Sequence, residues 1–105
     1  MCIIEAESKN TLLIGKISLL NNRVYTGETS KNIFDEVAVA QIDEVLSGYN
    51  ACIFAYGATG SGKTYTMLGN EKIDGISKLC LKEVFNQIEP LRREMEFTVK
   101  VNSFL

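Results

Sequence analysis

Hydrophobic spacing changes along this chain, and each change marks an element. In the first 27 residues the apolar runs Cys2 to Ile4 and Thr11 to Leu20 are punctuated by Ser8-Lys9-Asn10, Asn21-Asn22 and Gly27. That pattern predicts short strands joined by turns. Thr29 and Ser30 then offer hydroxyl oxygens at a helix start. Beyond them Phe34, Ala38, Ile42, Val45 and Tyr49 recur every three or four residues around Gly48, a residue suited to closing a helix. The expected element is an amphipathic helix of about four turns, with Asp35-Glu36 and Asp43-Glu44 on its solvated side. Ala51 to Tyr56 is continuously apolar and ends at Gly57, the pattern of a strand buried on both faces. Lys63 to Leu68 predicts a short helix closed by Gly69-Asn70. A longer helix from about Gly75 carries Ile76, Cys80, Val84 and Ile88 on one face until Pro90 stops it. The tail alternates Phe97, Val99, Val101, Ser103 and Leu105 against Thr98, Lys100, Asn102 and Phe104, a strand period.

Composition narrows the class without changing this order. A length of 105 residues suits one domain, and 46% hydrophobic with 23% charged residues is the balance of a globular protein. The net charge of -2, from 11 basic and 13 acidic residues in short mixed clusters, provides no field that would gather phosphate backbones or anionic lipid. Neither nucleic acid nor membrane is expected as a partner. Cys2, Cys52 and Cys80 are odd in number and widely spaced, fitting neither a disulfide framework nor a zinc site. A reducing cytoplasm is the expected setting, with Cys52 and Cys80 as small core residues. The apolar run at Ala51 to Tyr56 is far shorter than the roughly 20 residues of a membrane span. Glu5 interrupts the place where a signal peptide would carry its apolar core, so no targeting segment is expected.

The chemistry concentrates at Gly57-Ala58-Thr59-Gly60-Ser61-Gly62-Lys63-Thr64, which meets the phosphate-loop pattern of Gly, four residues, then Gly-Lys-Thr. Gly57, Gly60 and Gly62 permit backbone conformations that let successive amides turn toward an anion. The following helix adds unsatisfied donors and the positive end of its dipole. Lys63 supplies a full charge at the outer phosphates, and the Thr64 hydroxyl is placed to ligate Mg²⁺. Gly57, Ala58, Thr59, Gly60, Ser61, Gly62, Lys63 and Thr64 are therefore the expected nucleotide-binding residues, and a nucleoside triphosphate with its metal is the expected ligand. A chance match in a chain this long occurs about a few times in a thousand, and the order strand, glycine loop, helix lowers it further. The loop alone does not separate motors, phosphotransferases and GTPases.

Its flanks are more specific. The run from Gly48-Tyr49-Asn50 through Thr66-Met67, with Leu68 and Gly69 beyond, resembles the kinesin motor signature around its phosphate loop. The resemblance extends to Thr29 through Val37, to Gly75-Ile76 with Leu81 and Phe85, and to Val99 through Leu105. It covers residues 24–105, with 1–23 weakly matched. It implies an α/β fold of the P-loop NTPase type, a mixed and mostly parallel sheet flanked by helices, of which this chain is an incomplete motor core. It further implies ATP and Mg²⁺ as ligands, hydrolysis coupled to microtubule-based movement, microtubules as partner, and a place in the cytoplasm on the cytoskeleton. Tyr65 is similar to the residue that lies beside the nucleoside in the family, and the spelling with Ala58, Thr59 and Tyr65 resembles the subgroup acting at microtubule plus ends.

Three departures matter. The Arg-x-Arg-Pro strand that supports adenine in kinesins has no match in residues 1–27. The two switch segments, similar in the family to Asn-x-x-Ser-Ser-Arg-Ser-His and Asp-x-x-Gly, and the tubulin-binding elements fall beyond the position of Leu105. The sequence contains no histidine, and after Lys63 its sole aspartate is Asp74. No catalytic residue is assigned, and Arg92-Arg93 reads as a solvated loop after Pro90. The chain by itself is expected to bind nucleotide weakly and turn over little. On the residues, a non-catalytic nucleotide-binding remnant and an unrelated P-loop phosphotransferase stay open. The latter would need a lid arginine and a strand-end aspartate, neither of which is evident.

Overall fold

A computed structural model describes residues 4–6, 11–14, 17–20, 23–27 and 29–104. The turns expected at 8–10 and 21–22, with Cys2 and Leu105, lie outside these residues. Three short strands form from the first apolar runs: β1 (Ile4–Ala6), β2 (Thr11–Ile14) and β3 (Ile17–Leu20). They pair antiparallel in sequence order, with Glu5 opposite Leu13 and Leu13 opposite Ser18. This is the strand-and-turn pattern that the alternation of apolar runs and turn residues predicts.

The helix expected from Thr29 to Gly48 is present as one continuous rod of changing pitch. It begins as α1 (Ser30–Ile33), widens into a π-helical stretch (Phe34–Ala38), and returns to α-helix as α2 (Val39–Leu46). The Val39 amide bonds to Phe34 O, the five-residue step of a π-turn. Thr29 occupies the cap position, but its hydroxyl donates to Asn32 Oδ1 rather than accepting from the first amides. Closure at the far end is complete. Gly48 takes φ 102, its amide bonds to Val45 O at 3.0 Å, and the Tyr49 amide reaches back to Glu44 O at 3.0 Å. That pair of crossed bonds satisfies carbonyls the helix itself leaves free.

α3 (Lys63–Leu68) and α4 (Ile76–Ile88) follow where the pattern predicts them. Pro90 does not end the helical path. It enters the first turn of a 3₁₀ segment, Glu89–Arg93, where its missing N–H costs nothing. Phe34, Ala38 and Ile42 meet Ile76 in the core, and Ile33, Val39, Ile53, Met67, Leu79, Cys80 and Val84 pack around them. Fully burying side chains of this size contributes about 1.5–3 kcal/mol each. Gln87 Nε2 donates to Asp43 Oδ1 at 2.9 Å and so ties α4 to α2, drawing Asp43 out of purely solvated surroundings.

Two expected strands do not form. Ala51–Tyr56 forms no ladder among the described residues and is not buried: Phe54 is 79% and Tyr56 94% exposed. Residues 97–104 likewise run without ladder partners, and Phe104 is 91% exposed. From residue 23 onward the described chain therefore holds helices but no strand of the expected mixed sheet. The physical reason is that a strand exists only through hydrogen bonds to a neighbour, and no described segment makes main-chain bonds to either one. Val45 and Tyr49, which the helical stripe places inside, are exposed, and of the two expected core cysteines Cys52 is exposed and Cys80 half-buried. Burial pushes the Cys80 thiol above its ordinary pKa.

Candidate nucleotide-binding site

The loop that leaves Tyr56 turns back on itself before α3 begins. Ser61 N–H bonds to Ala58 O at 3.1 Å, and Gly60 and Gly62 take φ 78 and 93, conformations that L side chains oppose. Gly57 is constrained less, since a Cβ there would stand 2.7 Å from Ser61 Oγ, a hydroxyl that can rotate away. The chain then enters α3, whose Thr66 amide bonds to Gly62 O at 2.9 Å.

Lys63 closes the ring. Its ammonium donates to Gly57 O at 2.7 Å and to Ala58 O at 2.8 Å. Two of the three ammonium donors thus hold the two edges of the loop together, and the third is left over for an anion. The amides of Gly60, Gly62, Lys63, Thr64 and Tyr65 have no acceptor among the described residues. They are the free donors that a loop and helix start leave unmet. Thr59, Gly60, Gly62, Lys63, Thr64 and Tyr65 line an open cleft of about 460 Å³. Tyr65, which also lines the cleft, is 47% exposed. Glycine positions fixed by backbone conformation, unmet amides and a lysine already seated over the loop fit a phosphate chain. Thr64 is exposed beside them.

Sequence reasoning places Gly57, Ala58, Thr59, Gly60, Ser61, Gly62, Lys63, Thr64 and Tyr65 together, and the structure brings all of them to one loop and helix start. It missed the acceptor role of the Gly57 and Ala58 carbonyls, which are backbone atoms with no sequence signal. Asp74 stands elsewhere. Its carboxylate is bound by Lys78 at 2.7 Å and Lys82 at 2.6 Å, and those hydrogen bonds hold it below the ordinary carboxylate pKa. Among the described residues no helix is long and apolar enough to cross a membrane.

A glycine loop closed by its own lysine and opening a helix defines a P-loop nucleotide-binding protein as the class. Comparison with known proteins then specifies the family: the kinesin motor domain matches residues 16–105, and the chain belongs to that family. Membership carries the α/β P-loop NTPase fold class. The chain is 46% identical over 76 residues to kinesin-like protein KIF18B of Gallus gallus, covering 72% of this chain and 10% of that protein. It is 42% identical over 89 residues to centromere-associated protein E of Homo sapiens, covering 84% and 3%. It is 36% identical over 106 residues to kinesin-like protein KIN-4A of Arabidopsis thaliana, covering 96% and 10%. The chain spans a tenth or less of the length of these curated relatives.

Proposed function

We propose that this chain is the ATP-binding part of a kinesin-like microtubule motor. Gly57, Ala58, Thr59, Gly60, Ser61, Gly62 and Lys63 would surround the phosphates, Thr64 would ligate Mg²⁺, and Tyr65 would stand beside the nucleoside. The observation that carries this reading is the Lys63 ammonium seated on Gly57 O and Ala58 O with a donor to spare. Bound ATP·Mg²⁺ would supply the phosphoanhydride whose cleavage drives movement in the complete motor. The residues of this chain would bind and orient: Lys63 would offset phosphate charge, the loop amides would donate to phosphate oxygens, and the Thr64 hydroxyl would hold the metal. No residue here is assigned to the hydrolytic step, because Asp74 is engaged by Lys78 and Lys82.

Microtubules are the partner of the complete motor, and the cytoplasm and cytoskeleton its place. The exposed apolar segments Ala51–Tyr56 and 97–104 support a mixed, mostly parallel sheet in the complete domain, with these as two of its strands. Calorimetric titration with ATP in the presence of Mg²⁺ tests the binding reading. Saturable binding by the wild-type chain that Lys63→Ala removes is expected, and equal binding by both proteins would refute the site. Microtubule-stimulated turnover by these 105 residues would refute the assignment of hydrolysis elsewhere.

A further inference from the structure

α3 carries Lys63 and Thr64 in its first turn, yet none of its 6 residues is buried. What holds it lies at its other end. The Gly69 amide closes the helix on Tyr65 O at 2.8 Å, and Gly69 then adopts φ 76 and ψ -155, a conformation essentially confined to glycine. This turn lays the last residues of α3 directly on the backbone of Gly75, the buried residue that caps α4. A Cβ on Gly75 would stand 2.4 Å from Gly69 N and from Leu68 C, and 2.5 Å from Met67 O. A Cβ on Gly69 would stand 2.1 Å from Ile73 O and 2.4 Å from Gly75 N. The intervening loop is fastened from within. Asn70 Oδ1 accepts from the Lys72 and Ile73 amides, and the Asn70 amide bonds to Ile73 O, each at 2.9 Å. Asp74, through Lys78 and Lys82, ties that loop to α4.

We propose that the backbone contact of Gly69 with Gly75 is the positioning element of the phosphate loop, fixing α3, and with it Lys63 and Thr64, to α4. The proposal rests on reading Gly57–Thr64 as a phosphate site. The direction of control follows from which side yields when the contact is crowded. Ile76, next to Gly75, sits in the core with Phe34, Ala38 and Ile42, whereas α3 offers that core only Met67. A methyl group at Gly75 therefore displaces α3 and leaves α4 in place. Because α3 is about 9 Å long, a shift at Gly69 is carried along a short rigid rod to Lys63 and Thr64.

Amide hydrogen exchange on the ligand-free chain, read by NMR in wild type and Gly75→Ala, tests this. Exchange at Thr66 and Gly69, whose acceptors are Gly62 O and Tyr65 O, is expected to accelerate roughly ten- to hundredfold. Ser47, bonded to Asp43 O in α2, is expected to exchange as before. Unchanged exchange at Thr66 and Gly69 overturns the proposal. So does acceleration that includes Ser47, which would make Gly75 a residue of the whole fold and not of α3. If Gly75→Ala does not fold, Asp74→Asn removes the lysine tethers without adding volume. The same pattern at lower amplitude is then expected, and no change at Thr66 and Gly69 overturns the proposal. Titration with ATP·Mg²⁺ separates the two readings. Wild type that fails to bind refutes the phosphate site and leaves the exchange result standing. Where wild type binds, Gly75→Ala is expected to bind on the order of tenfold or more weakly, and equal affinity overturns the positioning role.

Discussion

Two glycine-bearing loops flank α3, and they use glycine for opposite purposes. In Gly57–Gly62 a Cβ at Gly60 or Gly62 would meet nothing within 4 Å, so glycine is there for its left-handed backbone and the loop stays open. In the loop from Gly69 to Gly75 a Cβ would meet backbone at 2.1–2.5 Å, so glycine is there for closeness and the loop is shut. One loop keeps room for a ligand and the other removes all room. The lesson is that glycine content alone does not mark a binding loop. What distinguishes the two is whether the amides are left unmet among the described residues, as at Gly60 and at Gly62 to Tyr65, or consumed by the loop's own acceptors, as at Lys72 and Ile73.

The contrast can be broken, starting with the largest effect. Gly69→Ala combines a glycine-only conformation with backbone overlap and should destabilise the chain by about 3 kcal/mol or more. Thermal melting followed by circular dichroism measures this, and a wild-type midpoint would show the second loop to be open. Lys63→Ala should lower ATP affinity on the order of a hundredfold through the lost charge-assisted bonds. In the same variant stability should change by less than about 1 kcal/mol. Gly62→Ala should cost about 1–2 kcal/mol, because φ 93 opposes a side chain even in open space. Gly57→Ala should cost about 0.5 kcal/mol or less, since the Ser61 hydroxyl can rotate away. A reversed order for these two would mean that space and not backbone angle governs the first loop.

The smallest effect is electrostatic and belongs to the closed loop. The Lys78 and Lys82 hydrogen bonds lower the Asp74 pKa in the folded chain, so its contribution is complete above the unfolded value, about 3.9. It fades as pH falls through the lower folded value. Exchange at the Gly69 amide should therefore rise slightly relative to Ser47 on acidification below about pH 4, and Asp74→Asn should remove that difference. The carboxylate is in contact with solvent, so the change is modest.

How much of this was legible before any coordinates differs from element to element. Phe34, Ala38 and Ile42 announced the helix and its buried face because their spacing is a local property of the backbone, and the Gly48 closure followed from the same logic. The phosphate loop was legible because each of its positions has a separate steric or chemical requirement. The π-turn at Phe34–Ala38 was not, since no residue type there demands a wider pitch. Nor was the approach of Gly69 to Gly75. Two glycines six apart with Asn70 between them are a turn signal, but the distance between their backbones depends on how α3 and α4 pack. Segments 51–56 and 97–104 carry strand patterns yet form no ladder among the described residues, because an apolar run or alternation says which residues suit a sheet and nothing about whether a neighbour is at hand.

Ala51–Tyr56 carries a practical consequence. Its backbone groups make no main-chain bonds among the described residues, and Phe54 and Tyr56 project into water beside them. Such a segment is a template for any other extended chain, a second molecule of this polypeptide included. Handling of the chain is then governed by concentration before it is governed by temperature. Size exclusion over a concentration series is expected to show dispersed chains when dilute and growing aggregates when concentrated.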